Sequence, residues 1–210
     1  MAQQPAYNTQ MQIGVNLSNP IFSGVHHGKR AHEDDLQHVV QRALQAGVRK
    51  MMFTRSDLQE IGVHPCSAKS FEKYADGFEA LMAELRKLTL RSRDSGKATA
   101  LGEIRLDYDG VQLCDEETRL VYFAKQLDLA MELLHMPLFL HSRAATSEFE
   151  CLLKKRLDKP PKRGCVHSFT GSLVEMQAMV NMAFDIGING CSMKTEENLA
   201  VVKEVPLERM

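Results

Sequence analysis

Apolar residues follow two alternating rhythms along this chain. Short apolar runs of strand length occupy residues 13–17, 48–54, 61–63, 99–106, 137–140, 165–167 and 185–190. Between them, apolar positions recur at helical spacing. Leu36, Val39, Val40, Ala43 and Leu44 mark a helix within 32–46, stopped by Gly47. Phe78, Leu81, Met82, Leu85 and Leu88 mark another within 71–90, and further helices are predicted over 116–134, 147–157, 173–183 and 196–205. Strand–helix alternation at this spacing predicts a parallel α/β fold, organised as one domain over residues 1–210.

The rhythm breaks once. After Thr54 about six residues precede Ile61-Gly62-Val63-His64-Pro65, whereas a crossover with its helix needs at least ~10–12 residues. The pattern also stops at Met210, after a helix and before another strand. Seven strands and six helices with one missing crossover fit a TIM-type (β/α)8 barrel that is incomplete. The second-helix region and the eighth strand are the parts expected to be missing.

The ends of the apolar runs carry the ionisable residues. Pro137-Leu138-Phe139-Leu140 stops at His141, Ser142 and Arg143, while Glu103 and His167 close two other runs. In parallel α/β folds the C-terminal strand ends are where ligand-handling groups gather. The intervals between Glu103, His141 and His167 each hold one helix with its two loops, so all three are predicted at one rim. A carboxylate with two imidazoles suits a divalent first-row metal, which polarises a phosphoryl oxygen and acidifies a bound water. Each residue alone reads better as an ordinary polar strand end; their common phase is the signal.

His64, in Gly-Val-His-Pro, is a candidate proton carrier or phosphate ligand. Arg143 has the planar fork that pairs bidentately with phosphate. His26 and His27 lie in a glycine-bounded loop, and His32, His38 and His135 read as helix-surface or cap residues. Two basic clusters, Arg86 to Lys97 and Lys154 to Arg163, fall between a helix and the next strand. That is the barrel face opposite the strand C-termini, where cations complement helix dipoles and remain solvated.

Composition narrows the classes. With 210 residues, 44% hydrophobic and 25% charged, the chain supports a sizeable core. Its 26 basic and 27 acidic residues give no global positive field, so nucleic acid would have to be bound by a local site. The five cysteines are scattered without a Cys-x-x-Cys pair, the usage expected of reduced thiols in a cytoplasmic or nuclear protein. No apolar stretch approaches the ~20 residues of a membrane span, and the N-terminus has no secretory signal pattern. No membrane partner is expected.

Several motifs together resemble one family. Ile-Gly-Val-Asn-Leu (13–17), Gly-Val-His-Pro (62–65), Gly-Glu-Ile-Arg-Leu-Asp-Tyr (102–108), Leu-His-Ser-Arg (140–143) and Val-His-Ser-Phe-Thr-Gly (166–171) stand in the order seen in TatD-type deoxyribonucleases. Ile-Gly-Ile-Asn-Gly-Cys-Ser-Met-Lys-Thr (186–195) resembles the eukaryotic TatD domain-containing branch. The resemblance implies a metal-dependent TIM-barrel hydrolase of the amidohydrolase superfamily, a 3′→5′ exodeoxyribonuclease with DNA as its partner. It further implies one or two divalent ions (Mg²⁺, Mn²⁺ or Zn²⁺), with Glu103 bridging and His141 and His167 completing one position. His64 would lie in the substrate pocket and Arg143 beside the metal.

Four departures qualify the resemblance. Val15-Asn16 stands where many members carry His-x-His, and Arg105 stands where a Gly is usual. The family's Glu-Thr-Asp-x-Pro motif would follow Leu207-Glu208-Arg209-Met210, and its second helix would lie between Gln59 and Ile61. Two of these losses fall on one metal position, leaving Glu103 and Asn16 as its only candidates. The alternatives are therefore a catalytically dead TatD-like scaffold or binding protein, and a small-molecule ester or amide hydrolase of the same superfamily.

Overall fold

The apolar runs become parallel strands, described here from a computed structural model that covers residues 10–17, 19–54, 77–108, 115–133, 136–157 and 164–210. The expected second-helix gap, the strand around 61–63, and His64 and His135 lie outside the described residues. The chain divides into two compact units, Met1–Arg55 and Ser56–Met210.

In the first unit β1 (Gln10–Val15) pairs in parallel with β4 (Val48–Phe53), with Ile13 opposite Met52. The crossover between them contains α1 (Leu36–Gln45), whose boundaries follow its apolar stripe. It also contains a feature with no apolar signature. Two-residue strands β2 (Val25–His26) and β3 (Lys29–Arg30) form an antiparallel hairpin. His27 and Gly28 at its tip have φ values of 50° and 75°, the backbone signature of a tight hairpin turn. His26 and His27 are exposed, as are His32 and His38.

The second unit runs α2 (Gly77–Asp94), β5 (Leu101–Asp107), α3 (Glu116–Glu132), β6 (Leu138–Arg143), α4 (Thr146–Arg156), β7 (Cys165–Val166), α5 (Leu173–Asn181), β8 (Asp185–Ile186) and α6 (Glu196–Glu204). The strands form one sheet in the order β5-β6-β7-β8, each neighbour parallel. Sequential parallel neighbours joined through helices are the repeating unit of a (β/α) barrel wall.

Side-chain alternation positions the site. Leu101, Ile104 and Leu106 of β5 are buried, as are Leu138 and Leu140 of β6, Val166 and Ile186. They join Phe123, Leu127, Phe149 and Leu153 from the helices in one core, where the rings of Phe123 and Phe149 stack at 5.2 Å. Because strand side chains alternate between faces, Glu103, Arg105 and Asp107 project from the face opposite Ile104 and Leu106. The helices begin where capping chemistry directs. Asp115 Oδ1 accepts from the Thr118 N–H at 2.8 Å, and Ser172 with Glu175 forms a capping box at α5.

Candidate metal centre

The three residues expected at one rim do meet, although Glu103, expected at the end of its run, lies inside β5. Glu103, His141 and His167 each offer a donor atom, and the three donors lie within 4.8 Å of one another. Glu103 Oε1 is 3.0 Å from His167 Nε2, and the two imidazole rings are 5.0 Å apart between centroids. Their side chains come from β5, β6 and the residue directly after β7, three adjacent strands.

Each residue is placed by identifiable local structure. Glu103 sits where the β5–β6 register shifts, between Gly102, opposite Phe139, and Ile104, opposite Leu140. Such a bulge re-aims the side chain it contains. Gly102 permits the close approach, since a Cβ there would lie 2.2 Å from the Phe139 carbonyl oxygen. His141 lies inside β6, not beyond it. The sequence pattern ended this strand at Leu140, but β6 continues to Arg143, with His141 opposite Arg105 and Arg143 opposite Asp107. His167 donates its backbone N–H to Leu140 O at 2.9 Å. Its ring stacks on Phe139, centroids 4.3 Å apart and planes inclined by 16°. Gly187 leaves room behind it, because a Cβ there would fall 2.8 Å from His167 Cα.

Burial sets the protonation state of one of the three donors. Burial, then the neighbouring His167 and Arg105, push the His141 pKa down to about 4, against opposing pulls from Glu103 and Asp107. His141 is therefore a neutral imidazole at neutral pH, the form that ligates. His141 Nδ1 and His167 Nε2 are buried without a hydrogen bond. The short approach of His167 Nε2 to Glu103 thus lacks hydrogen-bond direction. Buried polar nitrogens are costly when unsatisfied, and two of them in a cluster with a carboxylate fit a divalent ion.

Arg105 forms an ion pair with Asp107. Asp107 is itself only 1% exposed, and its backbone oxygen accepts from Arg119. Cys165 carries a protonated thiol at neutral pH. Burial, then Asp185, pushes its thiol up to about 12.

Arg143 ends β6, exposed, and lines a cavity of about 230 Å³ with Phe149, Phe169 and Glu175. Asn16 follows β1 in the first unit. Among the described residues of the basic clusters, Arg86 pairs with Glu132 at half-exposed positions and Arg156 pairs with Asp128 at 2.8 Å.

Three residues around His167 were not singled out from the sequence: Phe139, Ser168 and Asn189. Ser168 Oγ lies 3.0 Å from His167 Nδ1, and Asn189 Nδ2 donates to Ser168 Oγ at 2.7 Å. A hydroxyl beside a candidate ligand histidine was the available signal. Asn189 lies twenty-one residues away on another loop, and nothing local to it announced the contact.

With this geometry in hand, comparison with known proteins is informative. Residues 59–210 match the sequence model of the TatD related DNase family. Deoxyribonuclease Tat-D of Schizosaccharomyces pombe is 40% identical over 215 residues, covering 94% of this chain and 69% of the relative. A protein named 3′-5′ ssDNA/RNA exonuclease TatD from Klebsiella pneumoniae is 32% identical, covering 94% of this chain and 74% of the relative. The crystal structure of a TatD family hydrolase from Entamoeba histolytica superposes with a TM-score of 0.81 at 31% identity, covering 96% of this chain and 71% of the other. The fold class is accordingly the TIM-type barrel of those hydrolases in incomplete form, and the chain belongs to the TatD related DNase family.

Proposed function

We propose that this chain, as a single TatD-like domain over residues 1–210, hydrolyses DNA phosphodiester bonds in a metal-dependent, 3′→5′ exonucleolytic reaction in the cytoplasm or nucleus. The observation that carries this reading is the convergence of Glu103, His141 and His167 with two buried imidazole nitrogens left without hydrogen bonds. Relatives named deoxyribonuclease and 3′-5′ ssDNA/RNA exonuclease support the substrate and the direction.

The donor set, two nitrogens and a carboxylate, suits Mg²⁺, Mn²⁺ or Zn²⁺. Such an ion supplies Lewis-acid polarisation of a phosphoryl oxygen and acidifies water at neutral pH. The protein's own residues do the rest. Glu103 provides the negative charge that retains the cation. His141, held neutral by burial, and His167, braced on Phe139, orient their lone pairs. Arg143 offers its guanidinium to a phosphate oxygen at the rim and stabilises charge developing there. His64, by the family resemblance of its Gly-Val-His-Pro motif, serves as a proton carrier.

Calorimetric titration of the purified chain with Mn²⁺ tests the metal. One ion per chain should bind. His141→Ala or His167→Ala should abolish binding, and His26→Ala should leave it intact. Single-stranded oligonucleotides labelled at either end should lose nucleotides from the 3′ end, with cleavage stopped by EDTA. Cleavage that survives EDTA, or a wild-type chain that binds no ion, would overturn the reading.

A further inference from the structure

A chain of hydrogen bonds with a fixed direction ends on His167. Asn189 Oδ1 accepts from the backbone N–H groups of Cys191 at 2.9 Å and Ser192 at 3.3 Å. Backbone amides only donate, so this end of the Asn189 side chain must be its oxygen. The other end, Nδ2, is the donor facing Ser168 Oγ at 2.7 Å. Ser168 Oγ then lies 3.0 Å from His167 Nδ1. With one lone pair taken by Asn189, the hydroxyl retains one proton and one lone pair, and so meets either tautomer of the ring. Ser168 also has φ 52°, a left-handed conformation uncommon outside glycine, held directly after a candidate ligand.

We propose that Ser168 and Asn189 are positioning residues of the metal centre, gripping His167 through Nδ1 so that Nε2 faces Glu103 with its lone pair available. The inference rests on the metal-dependent reading above. Ligation through Nε2 requires the ring proton on Nδ1. Ser168 Oγ then accepts from both Nδ1 and Asn189 Nδ2, and its own proton turns away. Partners of this kind fix ring orientation and tautomer, and losing them costs about 10- to 100-fold in metal affinity.

Asn189 Oδ1 also holds the first amides of the turn at Cys191–Met193, and one substitution separates the two roles. Asn189→Asp keeps an oxygen for the Cys191 and Ser192 amides but replaces the donor that faces Ser168 by an acceptor. The Ser168 proton is then committed to that carboxylate, leaving only lone pairs for His167 and favouring the Nδ1–H tautomer.

The test is Mn²⁺ titration of the full chain and its variants, with imidazole ¹⁵N spectra of the metal-free proteins at one neutral pH. Ser168→Ala should weaken Mn²⁺ binding about 10- to 100-fold with an unchanged melting temperature. Asn189→Asp should melt like wild type and move His167 toward Nδ1–H. Wild-type binding that is equally tight in Ser168→Ala overturns the positioning role while leaving the metal reading intact. A wild type that binds no Mn²⁺ removes the metal reading, and the spectra then decide. A His167 tautomer unchanged in both Ser168→Ala and Asn189→Asp overturns the proposal. Should Ser168→Ala melt early, the Asn189→Asp spectrum alone decides on the same terms.

Discussion

The tightest steric constraint on the candidate metal centre is the absence of a side chain at position 102. A Cβ on Gly102 would lie 2.2 Å from the Phe139 carbonyl oxygen and 2.8 Å from Phe139 Cβ. Carbon–oxygen contacts between strands sit near ~3.3 Å, so Gly102→Ala forces β5 and β6 apart locally by about 1 Å. The obstacle is backbone, which cannot rotate aside. One or two ladder hydrogen bonds would break in a buried region, at about 1–3 kcal/mol for each group left unsatisfied. The expected loss is about 2–4 kcal/mol, with Glu103, the next residue, displaced from His167. Urea unfolding monitored by circular dichroism measures the first effect and Mn²⁺ calorimetry the second. Gly190→Ala is the control, since a Cβ there meets nothing within 4 Å and should change stability by less than about 0.5 kcal/mol. If Gly102→Ala unfolds like this control and binds Mn²⁺ like wild type, the close approach of β5 to β6 does not place Glu103.

Two further outcomes follow from buried titratable groups. The His141 pKa falls from 6.5 to about 4 on folding, so between those values the unfolded chain binds the extra proton. Stability should therefore be full above pH ~6.5 and decline as pH falls toward 4, by about 3 kcal/mol at ~1.36 kcal/mol per pKa unit. Denaturant unfolding in EDTA should show this slope in wild type and lose it in His141→Gln; equal slopes would contradict the burial argument. Cys165, with its thiol pushed up to about 12, should resist iodoacetamide at pH 8 while exposed Cys151 and Cys191 are alkylated. Peptide mass spectrometry showing Cys165 modified at their rate would refute this.

How much of the fold was legible depends on what carried each boundary. Helices with an apolar stripe were readable: α1 and α3 (Leu36–Gln45 and Glu116–Glu132) lie within the ranges their spacing predicted. Boundaries set by backbone alone were not. β6 runs three residues past its last apolar position because Arg105, Leu106 and Asp107 supply ladder partners to His141, Ser142 and Arg143, and pairing needs no apolar side chain. α2 similarly continues to Asp94 through Arg91 and Arg93, cations that favour a helix C-terminus but add nothing to the stripe. The hairpin over residues 25–30 rests on two backbone dihedrals at its tip, and strands of two residues leave no period to detect.

The site divides along the same line. Glu103, His141 and His167 were visible because each ends an apolar run, and the intervals between the runs fit one crossover apiece. Phase along the chain could not supply the register shift at Glu103, the Phe139 ring under His167, or the hydroxyl and amide behind it. Those contacts depend on how far one strand slides against the next. The candidate ligands arise from strands that are neighbours in both sequence and space, so only two registers fix their mutual positions: β5 on β6 and β6 on β7. Ser168 and Asn189 add the third, since Gly187 N–H bonds Val166 O and Phe169 N–H bonds Gly187 O, both at 2.9–3.0 Å. The loop after β8 is thereby tied beside His167. The candidate centre and its support are thus built within one stretch, from Leu101 to Ser192, of a single parallel sheet and its rim loops.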